Sequence, residues 1–291
     1  MVNSHVIPRH YLKGFENDVG CIFTYPNPQK HTDNQCVGRG GGSIAKNTAT
    51  IQGYYTPLTE EEISNKIESK GSHLLRKIIN KKVINLEEKE FFVQYILSFL
   101  YRVPFSEKRA QKIYEDEYIK WVTNPEYFYS FKKRHNLSGY REDEYFQVLK
   151  KIKSDKNLAK YFWENSITST HKKVENILLS RRWWILEIIG HQYFITSDNP
   201  LYYSVSSGMI NNEIQITFPL SQKMAIIFDN TDESTNMKYF PIGTTQFSLV
   251  DEINKRTADY SEKLYSPKKD LHLPDLVGHK ISNPKYIPYP F

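Results

Sequence analysis

Cysteine is nearly absent from this sequence: Cys21 and Cys36 are the two copies in 291 residues. Neither belongs to a Cys-x-x-Cys pair, which excludes a cysteine-based zinc module. The polar stretch between them reads as a hairpin loop flanked by two idle thiols or closed by one bridge. Long apolar runs are missing as well. No window approaches the ~20 residues that a membrane-spanning helix needs, and the opening MVNSHVIPRHYLKGF has no apolar core of the signal-peptide type. A cytoplasmic, reducing setting without membrane contact is the expectation. Familiar catalytic signatures are lacking too. There is no Gly-x-Ser-x-Gly elbow and no His-Glu-x-x-His helix, and the cluster Gly38-Arg39-Gly40-Gly41-Gly42-Ser43 has no Gly-Lys-Ser/Thr ending, so it reads as a flexible hairpin tip and not a phosphate loop. Asp198 is not followed by a Glu-x-Lys strand, which leaves no restriction-type nuclease core in view.

Aromatic side chains and mixed charge are what the chain has in quantity. With 21 Tyr and 14% aromatics, much of the buried surface must carry a phenolic hydroxyl in need of a partner. The formal charge is +6, from 39 basic and 33 acidic residues. It leans towards an acidic partner such as nucleic acid without diagnosing one, because the two signs are interspersed.

Two strand signals meet at Arg181 to Tyr203. Trp183 to Ile189 and Tyr193 to Thr196 are rich in aromatic and β-branched residues and are separated by Gly190-His191-Gln192, which predicts a hairpin. Ser197, Asp198, Asn199 and Pro200 then place a hydroxyl, an acid and an amide at a strand end, where sites are often found. Further strands are predicted at Cys21 to Tyr25, Ser43 to Tyr55, Leu201 to Val205, Glu213 to Pro219 and Met224 to Phe228. Thr59 before three glutamates reads as a helix N-cap, opening an apolar stripe from Ile63 to Ile78 with Glu68 on its border. Leu86 to Val103 is the next helix. It carries Arg102 in line with Phe91, Tyr95 and Phe99, and Pro104 ends it. Helices follow at Ser106 to Val122, Glu142 to Ile152 and Asp155 to Leu179, and a closing one runs from Gly243-Thr244 to Ser261. Basic and aromatic residues alternate from Glu126 to Arg141, as on a single-strand-binding surface or an ordinary connection between helices.

The fold class expected is α+β, with a small N-terminal β element, a central helical layer and a C-terminal antiparallel sheet with a closing helix. One domain covers residues 1–265, helical over roughly 59–180 and sheet over roughly 181–230. Residues 266–291 form an extended, proline-rich C-terminal arm.

The candidate chemistry is dispersed. His5 and Arg9 stand near one end of a docked N-terminal turn whose Tyr11, Leu12 and Phe15 recur at helical spacing. If the groups converge, Asp198 and Glu68 hold Mg²⁺ or Mn²⁺ through hard oxygens and do acid–base work, with His5 as the base. Arg9 and Arg102 then grip phosphate, and Tyr11, Ser197 and Asn199 contact substrate. The alternative is structural: Asp198 and Asn199 make an Asx-type turn, Arg102 pairs with Asp198 to lock helix to sheet, and Glu68 is a solvated flank.

Several blocks together resemble a large bacterial domain-of-unknown-function family (DUF4238-like). They are His5-x-x-Pro8-Arg9-x-Tyr11-Leu12-x-x-Phe15, Tyr54 to Glu68, Arg102 before Pro104, Trp184, Phe194-Ile-Thr-Ser-Asp-Asn-Pro200 and Phe218-Pro-Leu-Ser221, spanning His5 to about Tyr265. Some members sit among bacterial anti-phage defence genes. The resemblance therefore implies a defence role with a phage component as trigger, and leans the chemistry towards RNA or DNA; it carries no activity across. The expectation is a defence protein that cleaves phosphodiesters with a metal. A contrasting expectation is a non-enzymatic sensor that binds a nucleotide, nucleic acid or a phage protein. The Gly38 to Ser43 tract and the proline-rich tail depart from the resemblance.

Overall fold

The computed structural model describes residues 3–26, 45, 48–103, 172–203, 215–229, 237–243, 246–259, 261–270 and 272–276, with scattered positions between 106 and 168. Contacts divide the chain into two units, one of Met1–Val103 with Thr170–Phe291 and the other of Pro104–Ser169. In the second unit the described positions are helical. Most of the Ser106 to Val122, Glu126 to Arg141 and Glu142 to Ile152 expectations lie outside the described residues, as do Cys36, the Gly38 to Ser43 tract and residues 277–291.

The first unit begins with strand β1 (Asn3–His5), helix α1 (Arg9–Leu12) and a tight helical turn over Lys13–Phe15, followed by strands β2 (Phe23–Pro26) and β3 (Thr50–Gln52). The segment from Cys21 to Tyr55 does not close as its own hairpin. β3 pairs with β1 instead, and β2 pairs with a strand from the far end of the chain.

Helix α2 (Pro57–Glu62) starts three residues earlier than the glutamate run suggests. Pro57 has no N–H to leave unpaired and its φ is preset, so it takes the first helical position, and Thr56 Oγ1 caps by accepting the Thr59 N–H. The helical path continues through a π turn (Ile63–Glu68) into α3 (Ser69–Ile79). Helix α4 (Leu86–Arg102) opens on a capping box in which Asn85 Oδ1 accepts the Glu88 N–H at 2.9 Å and Glu88 Oε2 accepts the Asn85 N–H at 3.0 Å. Pro104 forces Val103 into extended geometry, and the helix stops with Arg102 as its last residue. Helix α5 (Lys172–Leu179) leads into the sheet.

Strands β4 (Arg182–Ile188), β6 (Ile216–Ser221), β7 (Met224–Asp229) and β8 (Lys238–Ile242) form a four-stranded sheet in the order β6-β7-β4-β8, and β5 (Thr196–Ser197) belongs elsewhere. β4 runs antiparallel to β7 but parallel to β8, so the expected antiparallel sheet is mixed at one edge. The hairpin predicted between Trp183 to Ile189 and Tyr193 to Thr196 does not form. Beyond Gly190, at φ 140°, the chain hydrogen-bonds past the β6–β7 turn, with Phe194 N–H to Gln222 O at 2.9 Å, and Ile195 N–H goes to Asn254 Oδ1 at 3.0 Å. β5 then joins a second sheet, β2-β9-β5, through β9 (Lys263–Ser266). Helix α6 (Phe247–Ala258) is the closing helix, and a short α7 (Leu273–Leu276) lies in what was expected to be an extended arm.

Both faces of the four-stranded sheet are covered, which is why β6 and β7 are buried along their whole length. Trp183, Ile185, Phe218 and Phe228 pack with Tyr11, Leu74, Phe92, Tyr95 and Phe99 on one side, and Leu186, Ile188 and Ile227 pack with Val250 and Ile253 of α6 on the other.

Candidate functional site

The N-terminal turn has two faces with different destinations. Tyr11, Leu12 and Phe15 are fully buried, the Tyr11 ring lying 4.8 Å from Phe99 and 5.3 Å from Phe218 between ring centroids. Tyr11 Oη donates to Pro219 O at 2.8 Å and shares a hydrogen bond of 2.8 Å with Thr196 Oγ1. Its hydroxyl is thus spent tying the turn to β5 and β6, and burial holds it protonated far above the usual phenol range. The opposite face carries Arg9, His10 and Lys13, with Arg9 and Lys13 exposed, and His5 joins them from the end of β1.

That second face lines an open cleft of about 450 Å³ whose other wall is Glu60, Ser64 and Glu68. Those three follow one another at four-residue steps through α2 and the π turn, and the wider winding of a π turn brings such positions into register. Three of the residues singled out from sequence, His5, Arg9 and Glu68, therefore meet here, and Arg102 joins them through Glu68. Arg102 is 1% exposed, and its Nη2 donates to Glu68 Oε1. The expected Arg102–Asp198 pair is replaced by this Arg102–Glu68 pair, because the neighbour of the α4 C-terminus is the π turn.

The electrostatics follow from that contact. Burial alone would raise the Glu68 carboxyl, but the charge and hydrogen bond of Arg102, helped by His10 and His5, outweigh it and hold Glu68 below the usual carboxylate range. Burial works to weaken the Arg102 cation, and Glu68 and Tyr55 overcome it. His10 bonds Tyr95 Oη through Nε2 at 2.8 Å, with Nδ1 4.0 Å from Glu68 Oε2. Burial lowers it to about 4, partly opposed by Glu68 and reinforced by Arg102 and Arg76, so it is neutral at pH 7. Glu60 is pushed up by burial, with only partial relief from Ser4, Arg102 and His5. Counting Arg9, Lys13 and Arg102 against Glu60 and Glu68, cations outnumber carboxylates, and the more so when Glu60 holds its proton.

Asp198 stands apart from this cleft's lining. It is 8% exposed, and its Oδ1 accepts the backbone N–H groups of Glu262 at 2.9 Å and Lys263 at 3.2 Å, clipping β5 to the start of β9. Burial raises it from 3.8 to about 6 despite those two donors. Ser197 Oγ accepts the Asn199 N–H at 3.1 Å, while Asn199 Oδ1 is buried without a partner. The opening turn does reach this corner, through the Tyr11–Thr196 bond. Among the described residues no three His, Cys, Asp or Glu side chains gather as a metal-binding group.

His10, Lys13, Glu60 and Ser64 are cleft residues that sequence reasoning passed over. The Glu60/Ser64/Glu68 spacing was available as a signal, but Glu60 read as an ordinary first-turn acid. His10 sits beside the fully buried Tyr11, and only the tertiary contact with Tyr95 marks it out.

A family model described as Protein of unknown function (DUF4238) matches residues 3–268. No curated protein and no solved structure matches the chain. Among the described residues no helix is long and apolar enough to cross a membrane.

Proposed function

We propose that this chain, which belongs to the family described as protein of unknown function DUF4238, acts on nucleic acid by holding a phosphate in the His5–Glu68 cleft and cleaving the phosphodiester there. The setting we propose is anti-phage defence, as the family resemblance implies. The observation that carries the reading is the meeting of two exposed cations, Arg9 and Lys13, with His5 and two carboxylates of unlike environment, Glu60 and Glu68, in one open cleft. Arg9 and Lys13 neutralise the phosphate oxygens, His5 takes the proton of the attacking water, and Glu68, braced by Arg102, orients the nucleophile.

A joint Asp198–Glu68 metal site finds less support, since Asp198 Oδ1 is already occupied by two backbone donors. Mg²⁺ and Mn²⁺ therefore enter as arms of the test. Purified full-length protein is incubated with end-labelled RNA and DNA under chelator, Mg²⁺ or Mn²⁺, beside Arg9→Ala, His5→Asn and Asp198→Asn. Cleavage that is weakened by Arg9→Ala and lost in His5→Asn is the expected result. If Asp198→Asn abolishes cleavage only in the metal arms, the metal site is restored to the reading. Retarded but intact nucleic acid replaces the enzyme with a sensor, and neither retardation nor cleavage overturns nucleic acid as the ligand.

A further inference from the structure

Glu60 and Glu68 line the same cleft but are not equivalent, and the difference assigns a role that the proposed reaction leaves open. Glu68 gives one oxygen to a buried guanidinium. Glu60 has no such cation bonded to it: its Oε2 is buried without a hydrogen-bond partner, and its carboxyl takes a side-chain hydrogen bond from Ser4. Ser4 is free to donate because its own Oγ accepts the Tyr55 N–H at 3.3 Å. A carboxylate ion left with a buried, undonated oxygen is costly, whereas a neutral carboxyl in the same place is tolerated, so the surroundings shift Glu60 towards its protonated form.

We infer that Glu60 is the catalytic acid of the cleft, the group that protonates the leaving oxygen of the cleaved phosphodiester. The inference rests on the reading of the cleft as a phosphodiester-cleaving site. The groups facing Glu60 agree with it. Arg102 from α4 and His5 from β1 favour its anion and Glu68 along the helix opposes it, yet burial dominates and the carboxyl sits above its usual range. Two carboxyl groups pushed in opposite directions within one site are the arrangement that separates an acid from an ion. His10 is less suited to the task, since its Nε2 is engaged by Tyr95 Oη and it carries no extra proton at pH 7.

The step balances as a hydrolysis. Water oxygen bonds to phosphorus and its proton passes to His5, the bond from phosphorus to the leaving oxygen breaks, and that oxygen takes the Glu60 proton. Exchange with solvent then returns His5 to its neutral form and Glu60 to its acid form.

The test separates the role of Glu60 from the reading beneath it. Glu60→Gln and Glu60→Asp are assayed in the full chain, on the nucleic acid that the wild type cleaves and on a nucleoside 4-nitrophenyl phosphodiester, whose leaving group departs without a proton. Glu60→Gln is expected to lose about 10²–10⁴-fold in kcat on the natural ester with KM little changed, while its activity on the nitrophenyl ester stays within a few fold of the wild type. The alkaline limb of the pH profile is expected to vanish in Glu60→Gln and to persist, at lower rate, in Glu60→Asp. Equal losses on both esters, or no loss on either, in a variant that unfolds at the wild-type temperature would overturn the assignment while leaving the cleavage reading intact. A wild type inert towards both esters would overturn the reading itself, and Glu60 with it.

Discussion

Arg102 illustrates how a single side chain can be legible in direction and illegible in partner. Its place in the Phe91, Tyr95, Phe99 line puts it inside, and inside it is, at 1% exposure. The acid that meets it is Glu68, far nearer in sequence than Asp198. Nη2 of the guanidinium bonds Glu68 while Nε and Nη1 have no partner, and Glu68 is the first of the groups that hold its charge against burial. Removing one partner of such a pair strands the other. Glu68→Leu is expected to cost about 3–5 kcal/mol in urea-induced unfolding, and Glu68→Leu combined with Arg102→Met to recover much of it, because no buried charge is then left alone. A double variant as unstable as the single one would show that the pair is not what sustains the contact.

At the scale of elements, the helices were written locally and the strands were not. Caps, stripes and Pro104 locate α2 to α4 to within a turn. The one shift, from Thr59 to Thr56, arises because Pro57 fits the first helical position better than the interior. The same helices build the cleft wall through a close approach that periodicity does not announce. A Cβ at Gly71 of α3 would lie 2.1 Å from Tyr95 Cδ2 and 2.5 Å from Cγ on α4. That ring cannot easily yield, as its hydroxyl bonds His10 and its faces meet Phe92 and Phe99. Gly71→Ala is therefore expected to destabilise the protein by about 1–3 kcal/mol and to displace Tyr95 from its hydrogen bond with His10. Unchanged unfolding midpoints would mean that α3 and α4 can slide apart freely. The Trp183–Thr196 hairpin failed for the opposite reason: a hairpin-length turn and good strand formers were present, but the Gln222 turn and Asn254 of α6 offered Tyr193 to Ile195 other partners.

Across the whole first unit, ends distant in sequence are tied together at one corner. Tyr11 fastens the opening turn to β5 and β6, while Asp198 fastens β5 to β9. The Asp198 clip makes stability depend on pH with a definite sign. The folded chain keeps the Asp198 proton up to about 6, whereas an unfolded aspartate gives it up near 3.8. The resulting contribution is complete below the lower value and is lost as pH rises through the interval between the two, by about 2–3 kcal/mol in the limit. Asparagine can still accept both backbone N–H groups without a charge. Asp198→Asn should therefore lose that slope and be the more stable protein at pH 7 to 8, relative to its standing at pH 4. Urea midpoints measured across this range decide it, and parallel curves for the two proteins would count against a buried, proton-holding Asp198.

The amino-acid order by itself determined the α+β class, the two ends of α4, the burial of Tyr11 and Arg102, and which residue types were available for acid–base and phosphate chemistry. These follow from caps, periodicities and φ restrictions that act within a few residues. The tertiary structure alone decided that β3 turns back to β1, that β4 lies beside β8, that Glu68 receives Arg102, and that His10 and Glu60 share a cleft with His5 and Arg9. Those outcomes depend on which of several locally adequate partners closes over long stretches of chain. That competition is settled by burying the sheet on both faces at once, a condition that no short segment can express.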